Sequence, residues 1–398
     1  MRSKGEGTIY KRNGRYIGQY YTQDCPPKRK TVSGKTKKEV QDKLVQIRHE
    51  MKEGTYMDTE KMQFGEFVKD FMENYKKNEI QRTTYDGYLD YLEKHVYPNA
   101  LAKERLGEIT VNMMQKFYNE KTASGMSSRS VRYLHSILNG AFKNACKRNL
   151  IRENPNKDVT LPRKVTKEIC PPTVEEVKKF LEHEKESPLY GLWRIYVLNG
   201  LRRSEGLAIQ KKDINWETGE IRLHYAVGYV RNDGLEESNR KHVSVLKEDM
   251  KNKASLGSIF VDDETLEVLR RTVEVQEKRK RDMGELWNDK VLFMSTDNKF
   301  SMVDNDLLFT KEDGYFISGR SVLDALHKSF EECGIPRKRV HDLRHFYGTE
   351  CMYATGDLKM TSELMRHKQV STTAGIYLHT SNQRKKEAQD TFIKRLDL

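Results

Sequence analysis

The sequence predicts a multidomain α+β protein: a small three-stranded sheet plus helix at the N-terminus, a helical middle, and a mixed, mainly α C-terminal domain with a β-hairpin. Three observations predict it. Apolar and polar residues alternate near the start, apolar stripes at helical spacing follow, and both patterns occur in the remainder. A chain of 398 residues is long enough for two or three domains. The predicted boundaries are 1–61, 62–160 and 173–398, with a linker at 161–172.

The first segment is typical of strands followed by one helix. In "GTIYKRNGRYIGQYYTQ" apolar and polar residues alternate, and Asn13-Gly14 is a two-residue hairpin signal. "KRKTVSG" predicts a third strand. A helix then follows, because apolar residues recur at helical spacing before Gly54, namely Val40, Leu44, Ile47 and Met51.

Basic side chains are concentrated on these predicted strands, next to tyrosines. A basic sheet of this kind is suited to a DNA groove, so we expect the small module to bind DNA. The simpler alternative is a module without a binding role. The cations expected to contact DNA are Lys11, Arg12, Arg15, Lys28, Arg29 and Lys30.

The second segment is predicted to be a helical bundle. "FGEFVKDFMENYKK" and "SSRSVRYLHSILNGAFKNACKRNLI" each carry an apolar stripe at helical spacing, which is the expected core face. "NPNKDVTLPRKVTKEICPP" is rich in proline and polar residues, as linkers are. The polar face of the second stretch is basic and is a further candidate for DNA contacts, through Arg129, Arg132, Lys143 and Lys147.

The third segment mixes helices and strands. A capping box of Thr173 and Glu176 predicts where its first helix begins. "GEIRLHYAVGYV" alternates like one strand, and "SIFV" is a candidate for another. "SVLDALHKSFEECG" and "MTSELMRHK" are predicted to be helices.

Composition excludes several classes of protein. Hydrophobic residues make up 36% of the chain and charged residues 33%, and no apolar run approaches the length of a transmembrane helix. The N-terminus lacks the apolar core of a secretory signal. The five cysteines are scattered without a C-x-x-C pair, which disfavours a zinc cluster or a disulfide framework. A reducing cytoplasm is the expected location.

The excess positive charge lies at the front of the chain. Of the formal net charge of +13, residues 1–61 carry +7 and residues 62–171 carry +6, whereas residues 172–398 are balanced. This distribution indicates a front half that binds a polyanion. A well-solvated basic surface explains the same numbers about equally well.

The stretch "VHDLRHFYGTE" places two histidines and an arginine on one face of a predicted helix, since His341, Arg344 and His345 are spaced i, i+3 and i+4. Two histidines at that spacing are able to bind a metal. Alternatively, the three side chains face a phosphate. The sequence contains no H-E-x-x-H motif, and an arginine between two ligands would repel a cation, so phosphate is favoured.

Four clusters of the third segment together fit phosphodiester chemistry: "LNGLRRSEGLAI", "KEDMKNKASLGSIFV", the stretch "VHDLRHFYGTE" and "MRHKQVSTTAGIYLH". Two arginines, Arg202 and Arg344, are able to neutralise the non-bridging oxygens of a phosphate as the transition state forms. A tyrosine held in line attacks phosphorus, a lysine protonates the leaving oxygen, and histidines supply hydrogen bonds or take the tyrosine's proton. Each residue taken alone has an ordinary structural explanation, so the assignment depends on the combination.

The order of these clusters resembles that of the tyrosine recombinase, or phage integrase, family. "GLRRSE" resembles the first arginine box, "HDLRH" the H-x-x-R box, and "STTAGIYLH" the box that holds the nucleophile. The resemblance implies that the catalytic residues are Arg202, Lys251, His341, Arg344, His367 and the nucleophile Tyr377, with Glu205 and His345 in support.

The lysine box departs from the approximate family pattern P-K-T-x-x-S-x-R. Two of its residues match, Lys251 and Ser255. Where proline, threonine and arginine are usual, the chain has Met250, Asn252 and Gly257. Two other lysines therefore compete for the role of Lys251, namely Lys247 and Lys253. Arg366 stands where the family usually has a glycine before the third histidine.

The resemblance implies a site-specific recombinase that integrates and excises a mobile element in a bacterial host. It implies a 3′-phosphotyrosyl intermediate and a Holliday junction within a homotetramer on double-stranded DNA, without metal, ATP or other cofactor. The N-terminal module resembles an arm-type DNA-binding domain, the middle a core-binding domain, and residues 173–398 a catalytic domain with a C-terminal tail. The resemblance also implies two accessory partners, an excisionase and a host DNA-bending protein. It implies no association with a membrane.

Two other functions fit the same motifs. A topoisomerase-like enzyme would use this chemistry on a single duplex, but the arm-like module disfavours it. A regulator that binds DNA without cutting it would not need both arginines, both histidines and the tyrosine. A covalent protein–DNA complex would distinguish an enzyme from such a regulator.

Overall fold

The protein falls into two compact units, as seen in a computed structural model. One unit comprises residues 1–80 and 87–165, and the other comprises 81–86 and 166–398. The structure describes residues 8–21, 27, 29–52, 62–164, 170–248, 257–366, 370 and 393. The finer division at 1–61, 62–160 and 173–398 stays a prediction.

The first unit begins with an antiparallel sheet of β1 (Ile9–Arg12), β2 (Arg15–Tyr21) and β3 (Arg29–Gly34), in that order. The chain turns between β1 and β2 at Asn13 and Gly14, whose φ angles are +48° and +76°. Asparagine and glycine adopt positive φ at low cost, and a two-residue hairpin turn of this kind requires it. The three predicted strands are confirmed.

Helix α1 (Lys37–Lys52) covers one face of this sheet. Its predicted apolar stripe is the buried face, with Val40 and Leu44 almost completely inaccessible to solvent. The helix lies close to β2, because a Cβ at Gly18 would come within 2.7 Å of both side chains. Gly54, predicted to end the helix, lies outside the described residues.

The rest of the first unit is helical, as predicted, and contains no named strand within residues 62–164. The helices between residues 62 and 164 are α2 (Phe64–Phe71), α3 (Arg82–His95), α4 (Val111–Ala123) and α5 (Ser128–Lys147), with a π-helical turn at Met72–Lys76 and 3₁₀ turns at Ala100–Lys103 and Leu106–Glu108. The start of α3, residues 82–86, belongs to the second unit. The predicted stripes of α2 and α5 are buried, and the rings of Phe64 and Phe142 stack 4.9 Å apart. Each fully buried side chain of this size contributes about 1.5–3 kcal/mol.

The second unit is built on seven helices among its described residues: α6 (Val174–His183), α7 (Tyr190–Leu198), α8 (Arg203–Gly206), α9 (Asp263–Met283), α10 (Gly319–Glu332), α11 (Val340–Thr355) and α12 (Leu358–Leu364). The capping box of Thr173 and Glu176 is confirmed at the start of α6. Helix α7 lies in the core, where the indole of Trp193 donates a 2.8 Å hydrogen bond to the buried Glu184.

Two sheets complete the second unit. Strands β4 (Glu220–Leu223) and β7 (Gly257–Phe260) form one, and β5 (Tyr225–Arg231), β6 (His242–Glu248), β8 (Lys290–Met294) and β9 (Phe300–Asp304) form the other, in that order. Strands β5 and β6 pair antiparallel, and the "SIFV" strand is present as β7. The β-hairpin was predicted at the lysine box, Met250 to Gly257, and that segment lies outside the described residues except for Gly257.

The prediction of one continuous strand over "GEIRLHYAVGYV" is wrong, since the strand is interrupted at His224. Leu223 pairs with Gly257, whereas Tyr225 pairs with Glu248. The first part of the segment, β4, pairs with β7, and the second part, β5, pairs with β6. Residues 249–256 separate these two partners along the chain, and the predicted strand divides where the partner changes.

The helix predicted over "MTSELMRHK" is displaced towards the N-terminus. Helix α12 begins at Leu358, where Asp357 caps two backbone N–H groups, and ends at Leu364. Arg366 then has φ +51°, a left-handed conformation that ends a helix. The α10 helix is confirmed. Within the described ranges of both units, no helix is long and apolar enough to cross a bilayer.

Candidate functional site

The first part of the site is the N-terminus of the short helix α8. Arg202 is its N-cap residue, and Glu205, one turn later, accepts hydrogen bonds from both the backbone N–H and the guanidinium of Arg202. The side chain of Glu205 is 2% exposed, whereas that of Arg202 is 32% exposed. The buried Glu205 carboxylate thus holds the Arg202 side chain from the protein interior, and part of that side chain stays accessible to a ligand.

The second part of the site is the first turns of α11, which carry Arg344. This side chain is 1% exposed. Its Nη1 donates to the carbonyl oxygen of Gly200 at 2.5 Å, and its Nη2 donates to the carbonyl oxygen of Met365. Arg344 therefore joins three segments that are distant in sequence: the chain just before Arg202, α11, and the end of α12.

Gly200 has a backbone that no other residue type fits well. Its φ is +59°, and a Cβ at this position would lie 2.2 Å from the ring of Tyr347. Both the conformation and the space favour glycine. The close approach of Tyr347 holds the Gly200 carbonyl where Arg344 binds it, so this glycine belongs to the support of the site.

The two histidines of α11 contact each other, with ring centroids 4.7 Å apart in an edge-to-face arrangement. Burial, reinforced by the neighbouring His341, lowers the pKa of His345 to about 4. Loss of solvation and the charge of Arg344 also lower the pKa of His341. Both imidazoles are therefore neutral near pH 7, and each is able to accept a proton or to donate one N–H.

The buried His345 should make the protein less stable in acid. Because its pKa falls from an ordinary 6.5 to about 4 on folding, the unfolded chain binds a proton that the folded protein does not as pH decreases through this window. The associated loss of stability is about 3 kcal/mol and is complete below pH 4.

Thermal unfolding at pH 7.5 and pH 5 tests this expectation. The drop in Tm between the two pH values should be smaller for His345→Gln than for the unmodified protein. The matched control is His224→Gln, an exposed histidine of the same unit, whose drop should equal that of the unmodified protein. An unchanged drop in His345→Gln would contradict the assignment.

The sequence-predicted site residues divide into two groups. The structure brings together Arg202, Glu205, His341, Arg344 and His345: the first two share hydrogen bonds, and the charges of Arg202 and Arg344 both lower the pKa of His341. Of the others, Lys247 lies on β6, and Lys251, Lys253, Ser255, His367 and Tyr377 lie outside the described residues; the roles of all of them stay predictions. Among the described residues no cluster of three or more His, Cys, Asp or Glu residues is arranged to hold a metal.

One member of the site was not recognised as such in the sequence. Arg366 donates a 2.8 Å hydrogen bond to Glu205 Oε2, and its side chain is 6% exposed. Burial alone would raise the pKa of Glu205, but the charges of Arg366 and Arg202 outweigh that effect and lower the pKa, so the carboxylate is ionised. The sequence indicated Arg366 only as an unusual residue, because the family that the chain resembles usually has a glycine at this position.

The predicted DNA-contacting cations are in part rearranged by the structure. Alternation along β1 to β3 places three arginines on the sheet face opposite α1, together with Tyr10 and Gln19; these are Arg12, Arg15 and Arg29. Lys11 and Lys30 belong to the other face, as do Tyr16 and Tyr20, which contribute to the core with α1. Lys28 lies outside the described residues.

The cations of α5 also differ from one another. Arg129, Lys143 and Lys147 are exposed. Arg132, in contrast, donates from Nε and Nη2 to the carbonyl oxygen of Pro162, at 3.1 and 2.8 Å. Its guanidinium holds the chain after the bundle, which makes a DNA contact by Arg132 less favoured than by the other three.

The arrangement brings two arginines together with two neutral histidines, on an α+β unit that follows a basic front half. Residues 172–384 match the model of the phage integrase family, and residues 63–122 match that of the phage integrase N-terminal SAM-like domain. The first match spans more than half of the chain, and the chain therefore belongs to the phage integrase family.

Two relatives illustrate the similarity in sequence. The chain is 26% identical over 370 residues to a "tyrosine recombinase XerC-like" protein of Caldanaerobacter subterraneus subsp. tengcongensis, with 91% of each chain covered. It is 24% identical over 365 residues to the ICEBs1 integrase of Bacillus subtilis, with 89% of each chain covered.

Two solved structures have the same fold. The integrase of transposon Tn1549, bound to transposon right end DNA, superposes with a TM-score of 0.62 at 17% identity, covering 85% of this chain and 100% of that one. A lambda integrase tetramer bound to a Holliday junction has a TM-score of 0.52 at 14% identity, covering 94% of this chain and 96% of that one. The predicted α+β fold class is confirmed.

Proposed function

We propose that this protein is a site-specific DNA recombinase that integrates and excises a mobile genetic element through a 3′-phosphotyrosyl intermediate. The proposal depends on one observation: Arg202, Arg344 and His341 lie close together within the segment that matches the phage integrase family. Relatives named as integrases, such as that of ICEBs1, support a mobile element as the substrate.

In this proposal Arg202 binds the scissile phosphate through its accessible guanidinium, and the buried Arg344 contributes a positive charge beside it. A guanidinium offers paired donors to phosphate oxygens and stays protonated at any physiological pH. Arg344 is anchored by two backbone carbonyls and Arg202 by Glu205, so both are oriented before DNA arrives. Groups that need no reorganisation stabilise developing charge most effectively.

Strand cleavage is a transesterification in this proposal. The Tyr377 oxygen attacks phosphorus, the bond from phosphorus to the 5′-oxygen breaks, and the leaving oxygen takes a proton from a lysine, assigned to Lys251. The neutral His341 accepts the proton that Tyr377 loses when it attacks. A 5′-hydroxyl from the partner duplex then attacks the phosphotyrosine and releases Tyr377, so one phosphodiester replaces another and no ATP is consumed.

The remaining parts of the chain position the DNA. Residues 1–61 serve as the arm-type DNA-binding domain and residues 62–160 as the core-binding domain, which the SAM-like match over 63–122 supports. The solved lambda integrase tetramer on a Holliday junction supports a homotetramer for this chain as well. An excisionase and a host DNA-bending protein complete the assembly that we propose.

Trapped cleavage tests the function. The protein is incubated with nicked DNA that carries the junction of the circularised element, so that the fragment beyond the cut diffuses away and religation fails. We expect a protein–DNA band on a denaturing gel, with the protein on the 3′ phosphate and a free 5′-hydroxyl that a kinase can label. Absence of the band, or attachment to a 5′ end, would refute the proposal. Relaxation of supercoils without strand exchange would favour a topoisomerase.

The open face of the N-terminal sheet should dominate the salt dependence of binding to arm DNA. Removing one cation that neutralises a phosphate reduces the slope of log K against log[salt] by about 0.9. Replacing Arg12, Arg15 and Arg29 by glutamine should therefore flatten the slope by about 2 to 3. The charge-matched control replaces Lys38, Arg48 and Lys52, exposed cations of α1, by glutamine. Equal slopes for the two triple variants would contradict the assignment of the sheet.

A further inference from the structure

The buried carboxylate of Glu205 is shared between two arginines. Oε1 accepts from the guanidinium of Arg202, and Oε2 accepts from Nη2 of Arg366 at 2.8 Å. Glu205 is 2% exposed and Arg366 6%, whereas Arg202 is 32% exposed. The three side chains thus form a row from the interior to the open side of the site: Arg366, Glu205, Arg202.

Arg366 is held in this row at a cost to the chain. Its backbone is left-handed, which side chains other than glycine, asparagine and aspartate rarely adopt. Its Nε and Nη1 are buried without a hydrogen-bond partner within the part of the chain that the structure describes. Desolvation lowers the pKa of Arg366, although Glu205 opposes the effect. An arginine placed this unfavourably requires a compensating interaction, and its contact with Glu205 supplies one.

The charge balance shows what that interaction does. If Glu205 had Arg202 as its one cationic partner, the buried carboxylate would neutralise the arginine, and the pair would carry no net charge. With Arg366 added, the row carries a net charge of +1, and Arg344 brings a further +1. Coulomb interactions add pairwise, so the charge of Arg366 offsets the repulsion that the Glu205 carboxylate exerts on an anion approaching the accessible Arg202.

Arg366 is also attached to the second arginine of the site. It directly follows Met365, whose carbonyl oxygen accepts from Arg344. The end of α12 therefore contacts Arg344 through a backbone carbonyl and is connected to Arg202 through Glu205. The stem of Arg366 lies beside Gly257, since a Cβ there would be 3.7 Å from its Cδ, and this glycine directly follows the segment of the candidate lysines.

We infer that Arg366 is a positioning residue for strand cleavage: it binds one oxygen of Glu205 and thereby keeps the net charge around Arg202 positive for the scissile phosphate. This role rests on the proposed function, because it presupposes that Arg202 binds the phosphate of a cleaved strand. Arg366 itself acts through Glu205 and not by touching DNA.

A double-mutant cycle between positions 366 and 205 tests the inference. Cleavage is measured as the rate of covalent complex formation on nicked junction DNA at saturating protein, so that binding affinity does not enter the rate, and Kd is measured separately. Arg366→Met should slow cleavage about tenfold or more and leave Kd for DNA within about threefold, because residues of one salt-bridge network are energetically coupled. In a Glu205→Gln background, Arg366→Met should slow cleavage less than about threefold further.

Two further variants separate this role from a loss of folding. Arg366→Lys keeps a cation that reaches Glu205 and should retain more cleavage than Arg366→Met at comparable Tm. Arg203→Met is the matched control, because Arg203 is an adjacent arginine that donates to the Gly319 carbonyl; it should cleave at nearly the normal rate. A role in folding alone would lower Tm in step with cleavage and give lysine no advantage.

The possible results lead to distinct conclusions. If Arg366→Met slows cleavage equally in both backgrounds, Arg366 acts independently of Glu205, by contacting DNA or by stabilising the fold. That result overturns the inference while the proposed function stands. Normal cleavage by Arg366→Met also overturns it. If the unmodified protein forms no covalent complex on the same DNA, the proposed function fails first, and this role fails with it.

Discussion

The Tyr377→Phe protein should bind its DNA site with unchanged affinity and form no covalent complex. Only the attacking oxygen is removed, so the surfaces that recognise DNA remain intact, whereas the phosphotyrosyl bond has no atom from which to form. Cleavage should fall below detection on the nicked junction DNA, and gel-shift affinity should stay within about twofold. Recombination of two sites should be lost together with cleavage.

The controls are two other tyrosines that follow the H-x-x-R box. Tyr347 is half-buried against Gly200, and burial raises the pKa of its hydroxyl, so it is poorly suited to attack. Tyr353 is 47% exposed on α11 and is the better competitor by access. Tyr347→Phe and Tyr353→Phe should both still form the covalent complex. If either abolishes it while Tyr377→Phe does not, the nucleophile has been assigned to the wrong residue.

Arg202→Lys should bind DNA and cleave it roughly a hundredfold or more slowly. Lysine keeps the positive charge, but it replaces a planar group with several donors by a single ammonium. In the structure the Arg202 guanidinium binds Glu205, and the side chain is still 32% exposed, so it has donors for both the carboxylate and a phosphate. A lysine side chain is shorter and has a single ammonium group, so it can bind the Glu205 carboxylate or the phosphate well, but not both.

The matched control is Arg203→Lys, the same exchange one residue later. Arg203 is exposed and binds the carbonyl oxygen of Gly319, so its replacement should leave the cleavage rate within a few-fold of normal. Single-turnover cleavage at saturating protein is the appropriate measurement for both. Near-normal cleavage by Arg202→Lys together with a large loss in Arg203→Lys would move the phosphate contact to Arg203.

Local patterns were sufficient to predict much of the fold. The stripe of Val40 and Leu44 and the turn at Asn13-Gly14 are each encoded within a few residues, and the structure has both. The division of the strand at His224 is different, because it is set by which segment pairs opposite, and periodicity contains no information about that. Strands β8 and β9 were missed for a similar reason: β8 joins the sheet by a parallel pairing with the distant β6.

The candidate site shows the same limit at the level of side chains. Motif spacing identified Arg202 and Arg344 as a pair, but not that one is half-open and the other completely buried. That difference depends on the carbonyls of Gly200 and Met365, which the sequence does not mark. The contact between Arg366 and Glu205 joins residues 161 positions apart, so the sequence could offer only an unusual arginine and no partner for it.

Gly200 links folding to activity through one backbone carbonyl. An added methyl group there would meet the ring of Tyr347 and displace the oxygen that anchors Arg344, without removing any charge or any reactive atom. The defect would thus be one of fit, and thermal motion would enlarge it. We therefore expect Gly200→Ala to be a temperature-sensitive variant. A host carrying it would retain the element without recombination in warm culture, and recombination would resume on cooling.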